Sequence, residues 1–316
     1  MPGFFSKLVS PWYPPVAIGL EKGSASVVHL ERVRGGDCAI RRAATFSLSE
    51  TLISPGFDNQ NIERPSQLAS VLNELVATAG LIRQKRWSVS LPAATTRTLV
   101  LTIETPAQSG SELQEILTWK MERGFGVPLD ELSITQDQLQ KDSQGRARYL
   151  SIGVRKTVLA EYENLFSQMG WRVGLILPRH VGEAQWLVRS NGNSGDSLLL
   201  SSSLDGFTAI IFRDKYPLIL RSVSCAVSEC EDELYRLLMF YRDRRTTDQP
   251  ENTLGLSRLM VVGDGLSPQR ASEIVNETTG GDLRPLHAAD LGLNLPSRDL
   301  SFDVLAAPAG LATLSL

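Results

Sequence analysis

Apolar positions in the first fifty residues come in short β-branched runs separated by polar turns. Residues 16–20 are continuously apolar, 21–24 are polar, and Val27, Val28 and Leu30 resume the run. That pattern predicts strand, turn, strand. A third strand is expected after Gly35-Gly36-Asp37, from Ala39 to about Leu48. The same arrangement recurs in the second half. There, strands are expected at 198–203, 207–212 and 216–223, with turns at Leu204-Asp205-Gly206 and Asp214-Lys215. Two equivalent meanders half a chain apart predict a duplicated, two-domain α/β protein with a cleft between the halves.

Between the meanders, 51–65 is rich in Asn, Pro and Gly and reads as a loop. Ser66 is expected to cap a helix to Ala79, with Leu68, Val71, Leu72, Leu75 and Val76 on one face and Gly80 as its stop. Strands are expected at 87–91 and 97–103. Ser111-Glu112-Leu113-Gln114 reads as a capping box opening a helix with Leu113, Ile116, Leu117 and Met121 at helical spacing. Alternating strands at 132–139 and 146–154, a helix at 158–169 ended by Gly170, a strand at 173–177 and a helix from 182 to 188 follow. The Ser/Asn/Gly-rich 190–195 is the expected domain boundary. Beyond the second meander, Ser228 and Glu231 are expected to cap a helix carrying Leu234, Leu237, Leu238 and Tyr241 and ending in the basic run 242–245. A polar loop, a strand at 258–262, the turn Gly263-Asp264-Gly265 and a helix opened by Ser267-Pro268 complete the pattern.

A chain of 316 residues accommodates two domains, each with its own core. A net charge of −3 supplies no basic field, so neither nucleic acid nor anionic lipid is indicated as a partner. Three cysteines without a CxxC argue against a disulfide framework or structural zinc and fit a reducing compartment. No apolar run approaches the roughly 20 residues that cross a bilayer. The stretch MPGFFSKLVSPWYPP lacks a basic leader and is interrupted by Lys7 and Pro11, so it does not read as a signal peptide. Phe4, Phe5, Leu8, Val9 and Trp12 in it form either a loosely packed leader or a short membrane- or partner-binding segment.

The paired meanders resemble the actin-like superfamily of sugar kinases, chaperones and actin, whose phosphate loops are the turns of such meanders. Those loops read Asp-x-Gly: the Asp orders a hydrated metal and the Gly lets amides approach phosphate. Here the first falls on Gly19-Leu20-Glu21 and the second on Ser201-Ser202-Ser203, so both aspartates and both glycines are replaced. Glu21 sets a carboxylate where phosphate would sit. Further motifs resemble the PilM family of type IV pilus assembly proteins. They are LPAATTRTLVLTIETP, a helix ending in WKMERGFGVPLDELSI, and YLSIGVRKTVLAEYENLFSQMGW. Within them the family's charged and proline positions fall on Lys120, Glu122, Arg123, Val127, Pro128, Leu129, Asp130 and Glu131, and its strand end on Val154-Arg155-Lys156.

This resemblance implies an actin-like (ribonuclease H-like) α/β fold. The first domain would be 1–189 with an inserted subdomain at about 88–173, and the second 196–316, trimmed of most of its extra subdomain. It implies a non-enzymatic cytoplasmic adaptor at the inner face of the cytoplasmic membrane, in pilus or type II secretion assembly. The partner would be the short tail of a PilN-like inner-membrane protein. The groove walls would be Leu91, Pro92, Arg97 and Leu99 with Leu175, Ile176 and Leu177. A vestigial nucleotide site would comprise Gly19, Glu21, Gly23, Ser24, Ser201, Ser203, Gly263, Asp264 and Gly265, with no cofactor. Three alternatives stay open. One is an ATPase or kinase using ATP with Mg through Lys22, Ser24 and the Gly263 turn. The others are a secretion scaffold of the GspL cytoplasmic kind and a filament-forming actin relative.

Other chemistry is sparse. His29, His180 and His287 have no metal-ligand spacing, and adjacent Asp130-Glu131 point apart. Cys225 and Cys230 have no base at hand in the sequence, and the serine run lacks the GxSxG elbow.

Overall fold

Val16–Leu20 (β1) is buried at every position, which its unbroken apolar run requires of a strand covered on both faces. β1 pairs antiparallel with Ser24–Arg32 (β2), and β2 with Cys38–Ser47 (β3), with a bulge between His29 and Leu30. The computed structural model describes residues 13–33, 37–104, 107–190, 195–248, 255–297 and 300–316, and of 245–248 the backbone. The aromatic stretch 4–12, the Gly35-Gly36 turn, residues 191–194 of the expected boundary and residues 249–254 of the expected polar loop lie outside that set.

The chain divides into two compact units: Met1–Ala93, Ala160–Trp186 and Ala288–Leu316 in one, Ala94–Leu159 and Leu187–His287 in the other. In the first unit, β3-β2-β1 continues into two parallel strands, Arg86–Leu91 (β4) and Arg172–Pro178 (β8), and Leu293–Asn294 (β13) closes the far side beside β3. The sheet order is β13-β3-β2-β1-β4-β8, so β8 is an edge. Helix Pro65–Thr78 (α1) packs Leu68, Leu72, Leu75 and Val76 against it. Its N-cap is Arg64 with Pro65 in the first turn, so Ser66, expected as the cap, lies inside the helix.

Two further helices of this unit meet through glycine. Past helix Lys156–Gln168 (α3), they are Arg179–Arg189 (α4), whose first two turns belong here, and the apolar Phe302–Ala312 (α7). A Cβ at Gly182 would sit 2.3 Å from the Ala307 carbonyl, and one at Gly310 1.8 Å from that of Gly182. The Trp186 indole donates to the Ala306 carbonyl at 2.8 Å, and the Ser26 hydroxyl to that of Val304 at 3.2 Å. The sequence assigns 288–316 to the second domain, but these contacts place it in the first unit, because α7 is apolar on all sides and fills the space over β1 and β2.

The second unit repeats the meander. Asp196–Ser203 (β9), Gly206–Arg213 (β10) and Tyr216–Ser224 (β11) run antiparallel, and Leu256–Gly263 (β12) joins β9 in parallel. Helices Cys230–Asp248 (α5) and Pro268–Thr279 (α6) cover a core of Leu198, Leu200, Ile211, Leu237, Val261 and Val275. The expected stop at 242–245 does not occur, since α5 continues to Asp248. Only residues 225–229 separate β11 from α5, so no extra subdomain stands there. Asp196 joins the strands to α5: Arg213 grips both its oxygens at 2.9 and 2.8 Å, and Tyr241 donates at 2.7 Å.

The same unit holds the inserted segment, a three-stranded sheet ordered β5-β7-β6 (Arg97–Thr102, Arg148–Arg155, Leu132–Leu139) under helix Gly110–Phe125 (α2). The N-cap is Ser109, accepting from the Glu112 amide at 3.2 Å, while Glu112 accepts from the Gln108 amide. The cap therefore sits two residues before the Ser111 expected for it. Buried Arg148 ties this sheet to β11 by donating to the Pro217 and Leu218 carbonyls at 2.9 and 2.8 Å.

Candidate functional site

The β1–β2 turn is a tight hairpin, closed by the Glu21 amide on the Ser24 carbonyl at 2.9 Å and the reverse contact at 3.4 Å. Gly19 lacks a side chain because Pro308 of α7 presses on it: a Cβ there would meet the Ser26 hydroxyl at 2.6 Å and the Pro308 ring at 3.1 Å. Gly23 has open space around it, and its carbonyl accepts from the Leu48 amide at 2.8 Å. Ser24 starts β2 and is half-buried.

Glu21 meets a partner that the motif reading missed. Its carboxylate lies 3.3 Å from the Arg179 guanidinium at the start of α4, and Arg179 holds Glu183, one turn on, at 2.7 and 2.8 Å. Glu183 is completely buried, and Arg179 uses only its Oε1; Oε2 has no hydrogen-bond partner. Two carboxylates thus share one arginine in a largely dry place. Beside it, burial and then the Arg179 charge push the His180 imidazole down to about 4, so it stands neutral. The sequence signal available was R-H-V-G-E directly after the strand-ending Pro178, an Arg–Glu pair at i,i+4. Where like-charge repulsion toward phosphate was the expected role of Glu21, the turn carries an ion cluster built from its own chain.

In the second unit the corresponding strand end, Ser201–Ser203 of β9, is closed sterically by the turn that follows β12. Gly263 has φ of +98°, and a Cβ there would lie 1.9 Å from the Ser202 carbonyl oxygen; at Gly265 it would lie 2.0 Å from that of Ser203. Both glycines serve close approach of this turn to the end of β9, with Asp264 exposed between them. The buried Ser202 hydroxyl bridges the two segments, donating to the Val262 carbonyl and accepting from the Leu266 amide, both at 3.2 Å. Ser203 closes its own hairpin onto the Gly206 carbonyl at 3.3 Å, and the Ser201 hydroxyl is buried without a hydrogen-bond partner. Ser202, absent from the residues expected here, is the one that organises the turn. No group of three or more metal-ligating side chains occurs among the described residues.

The expected groove residues fall into two sets. In the first unit, Leu91 ends β4 and Pro92 follows it; both are buried, so they present no surface to a partner. Leu175, Ile176 and Leu177 lie half-buried on β8, paired with Ser88, Val89 and Ser90 of β4. In the second unit, Arg97 donates to the Phe125 carbonyl at the end of α2, and Leu99 covers Gly124, where a Cβ would lie 2.5 Å from its methyl. Both side chains are engaged in the packing of their own subdomain. Exposed aromatic surface occurs on Trp119, where Arg123 lies 5.4 Å from the ring centre, and on Tyr235 and Phe240.

No helix among the described residues is long and apolar enough to cross a membrane. No protein-family model matches the sequence, and no curated protein matches it. Solved structures do match in shape. A PilM–PilN type IV pilus biogenesis complex aligns with a TM-score of 0.74 at 15% identity, over 95% of this chain and 98% of that one. A Bacteroides thetaiotaomicron protein of actin-like ATPase fold and unknown function aligns at 0.49 and 14% identity, over 98% and 99%. The cytoplasmic domain of Vibrio cholerae EpsL, an inner-membrane component of the type II secretion system, aligns at 0.47 and 12%, over 95% of each chain. With the duplicated meanders and the β5-β7-β6 insertion, the first establishes that this chain has the actin-like α/β fold in its PilM-like form.

Proposed function

We propose that this protein is a non-enzymatic adaptor of pilus assembly that holds the short cytoplasmic tail of a PilN-type inner-membrane protein. It would thereby be kept at the inner face of the cytoplasmic membrane. The observation that carries the reading is the end-to-end match in shape to a PilM–PilN complex. Two features of the chain support it. The edge strand β8 presents its outer backbone groups beside half-buried Leu175, Ile176 and Leu177. An extended tail is recognised by such an edge, through backbone hydrogen bonds and pockets for alternate side chains. Both phosphate-loop positions, in turn, are given over to the chain's own packing: Glu21 to Arg179, and the Ser201–Ser203 end of β9 to the Gly263–Gly265 turn.

The test is binding, followed by calorimetry, of a synthetic peptide with the cytoplasmic tail sequence of a PilN-type protein from the same genome. Wild type binds. Leu177→Glu, whose carboxylate would be desolvated without a partner, loses several kcal/mol of affinity, while exposed Lys141→Glu leaves it within a few-fold. Circular dichroism and melting of each variant are matched to wild type first. A folded Leu177→Glu protein that binds as tightly as wild type removes β8 from the reading, and a wild type that ignores the tail removes the adaptor.

A further inference from the structure

We propose that Cys225 and Cys230 form a covalent modification site for disulfide-type oxidants, in which Cys225 reacts first and Cys230 resolves the adduct into an intramolecular disulfide. This inference stands apart from the adaptor reading and from both phosphate-loop turns. The two sulfurs lie 3.1 Å apart as free thiols, about an ångström beyond the ~2.05 Å of an S–S bond.

Their surroundings differ, and the difference assigns the roles. Cys225 follows β11, is half-buried, and anchors its backbone by donating to the Asp205 carbonyl at 3.3 Å. Around it Ser224, Ala226, Val227 and Ser228 are exposed, so a small disulfide reaches its sulfur from solvent. Cys230 opens α5 and is fully buried in the core with Leu234, Leu237 and Leu238. Its thiol donates to the Ala226 carbonyl at 3.5 Å, and burial together with the neighbouring sulfur pushes it up to about 12. A buried, proton-bearing thiol does not attack a dissolved oxidant. It is placed to attack one sulfur only, that of Cys225. The connection is held in register by the Glu229 amide on the Ala226 carbonyl at 2.9 Å and the Ala226 amide on the Glu229 carboxylate at 3.3 Å. Closing the bond therefore asks for side-chain movement more than for refolding of the loop.

With glutathione disulfide the exchange balances. The Cys225 thiolate attacks one sulfur, a glutathione thiolate leaves, and a mixed disulfide forms. The Cys230 sulfur then attacks Cys225 Sγ, its proton passing to the departing second glutathione. Two protein thiols and one glutathione disulfide become one protein disulfide and two glutathione thiols. The third cysteine, Cys38 on β3, is buried in the other unit and takes no part.

The full-length reduced protein is incubated with glutathione disulfide and followed by intact mass and peptide mapping. Wild type is expected to lose two hydrogen masses, to retain no glutathione, and to yield a linked peptide containing both cysteines that dithiothreitol separates. Cys230→Ala, which keeps the buried site small and apolar, is expected to stop with one glutathione on Cys225. Cys225→Ser is expected to leave Cys230 unmodified. The proposal is overturned if wild type retains glutathione on Cys225 without closing, if Cys38 reacts before Cys225, or if wild type stays fully reduced under conditions that oxidise dithiothreitol. The wild-type map decides the linkage even where a variant folds poorly.

Discussion

The two meanders have the same strand order, the same hairpin and the same parallel neighbour, yet the ends of their first strands are closed by different physics. At the first, charge fills the place: Glu21, Arg179 and buried Glu183 hold one another, and Gly19 admits Pro308. At the second, the backbone itself fills it, with Gly263 and Gly265 pressed on the carbonyls of β9 and the Ser202 hydroxyl stitching the contact. A duplicated scaffold thus keeps its architecture while each copy ends its strands in its own way. Ion clusters and close backbone contact respond differently to mutation and pH, which separates the two experimentally.

The largest effect is expected at the charged turn. Arg179→Met leaves the buried Glu183 carboxylate uncompensated, and removal of one partner from a buried pair costs about 3–5 kcal/mol. Replacing both, as Arg179→Met with Glu183→Leu, is expected to recover most of that loss in urea unfolding. If the single variant unfolds at the wild-type midpoint, the cluster is not what closes this turn.

In the turn packed on the end of β9, Gly263→Ala combines a positive φ with a Cβ 1.9 Å from a carbonyl oxygen, and a loss of about 2–4 kcal/mol is expected. Gly23→Ala, with nothing within 4 Å, is expected to stay within about 0.5 kcal/mol. Equal midpoints for the two variants would erase the contrast between a tight turn and an open one.

Acid is expected to act on the first unit through His180. Its folded value, about 4, lies below the ordinary 6.5, so between those pH values the unfolded chain binds the extra proton. The stability this histidine contributes is present above pH 6.5 and is lost as pH falls through about 4, up to roughly 3 kcal/mol. Measured stability should therefore decline over that window, and His180→Asn should flatten the slope whatever its own stability. An unchanged slope in the variant assigns the acid sensitivity elsewhere.

The smallest expected effect is none. Mg-ATP is expected to leave the melting temperature unchanged, because neither phosphate-loop position keeps a metal-ordering aspartate. A ligand at 100 times its Kd would add about 2.7 kcal/mol, which a melting curve resolves readily. A reproducible rise with Mg-ATP and not with Mg alone would restore a nucleotide to the comparison and replace the proposed adaptor reading.

Local pattern was enough for much of this. β-branched runs and turn residues determined both meanders, helical spacing determined α1 and α2, and Ser267-Pro268 determined the start of α6, since each depends on neighbours within a few residues. The missing aspartates at 19–21 and 201–203 were equally plain. Tertiary structure decided the rest. That α7 belongs with β1 and β2 depends on partners nearly three hundred residues away, Ser26 to Val304 among them. No local signal separates Ser111 from Ser109 as a cap, because the choice rests on where the chain enters the helix. Glu21 looked like a misplaced charge until Arg179 was found beside it, and Leu91 like a groove wall until it proved buried. A side chain's type is written in the sequence; whether it meets water, a partner charge or a carbonyl oxygen is set by segments that only folding brings together.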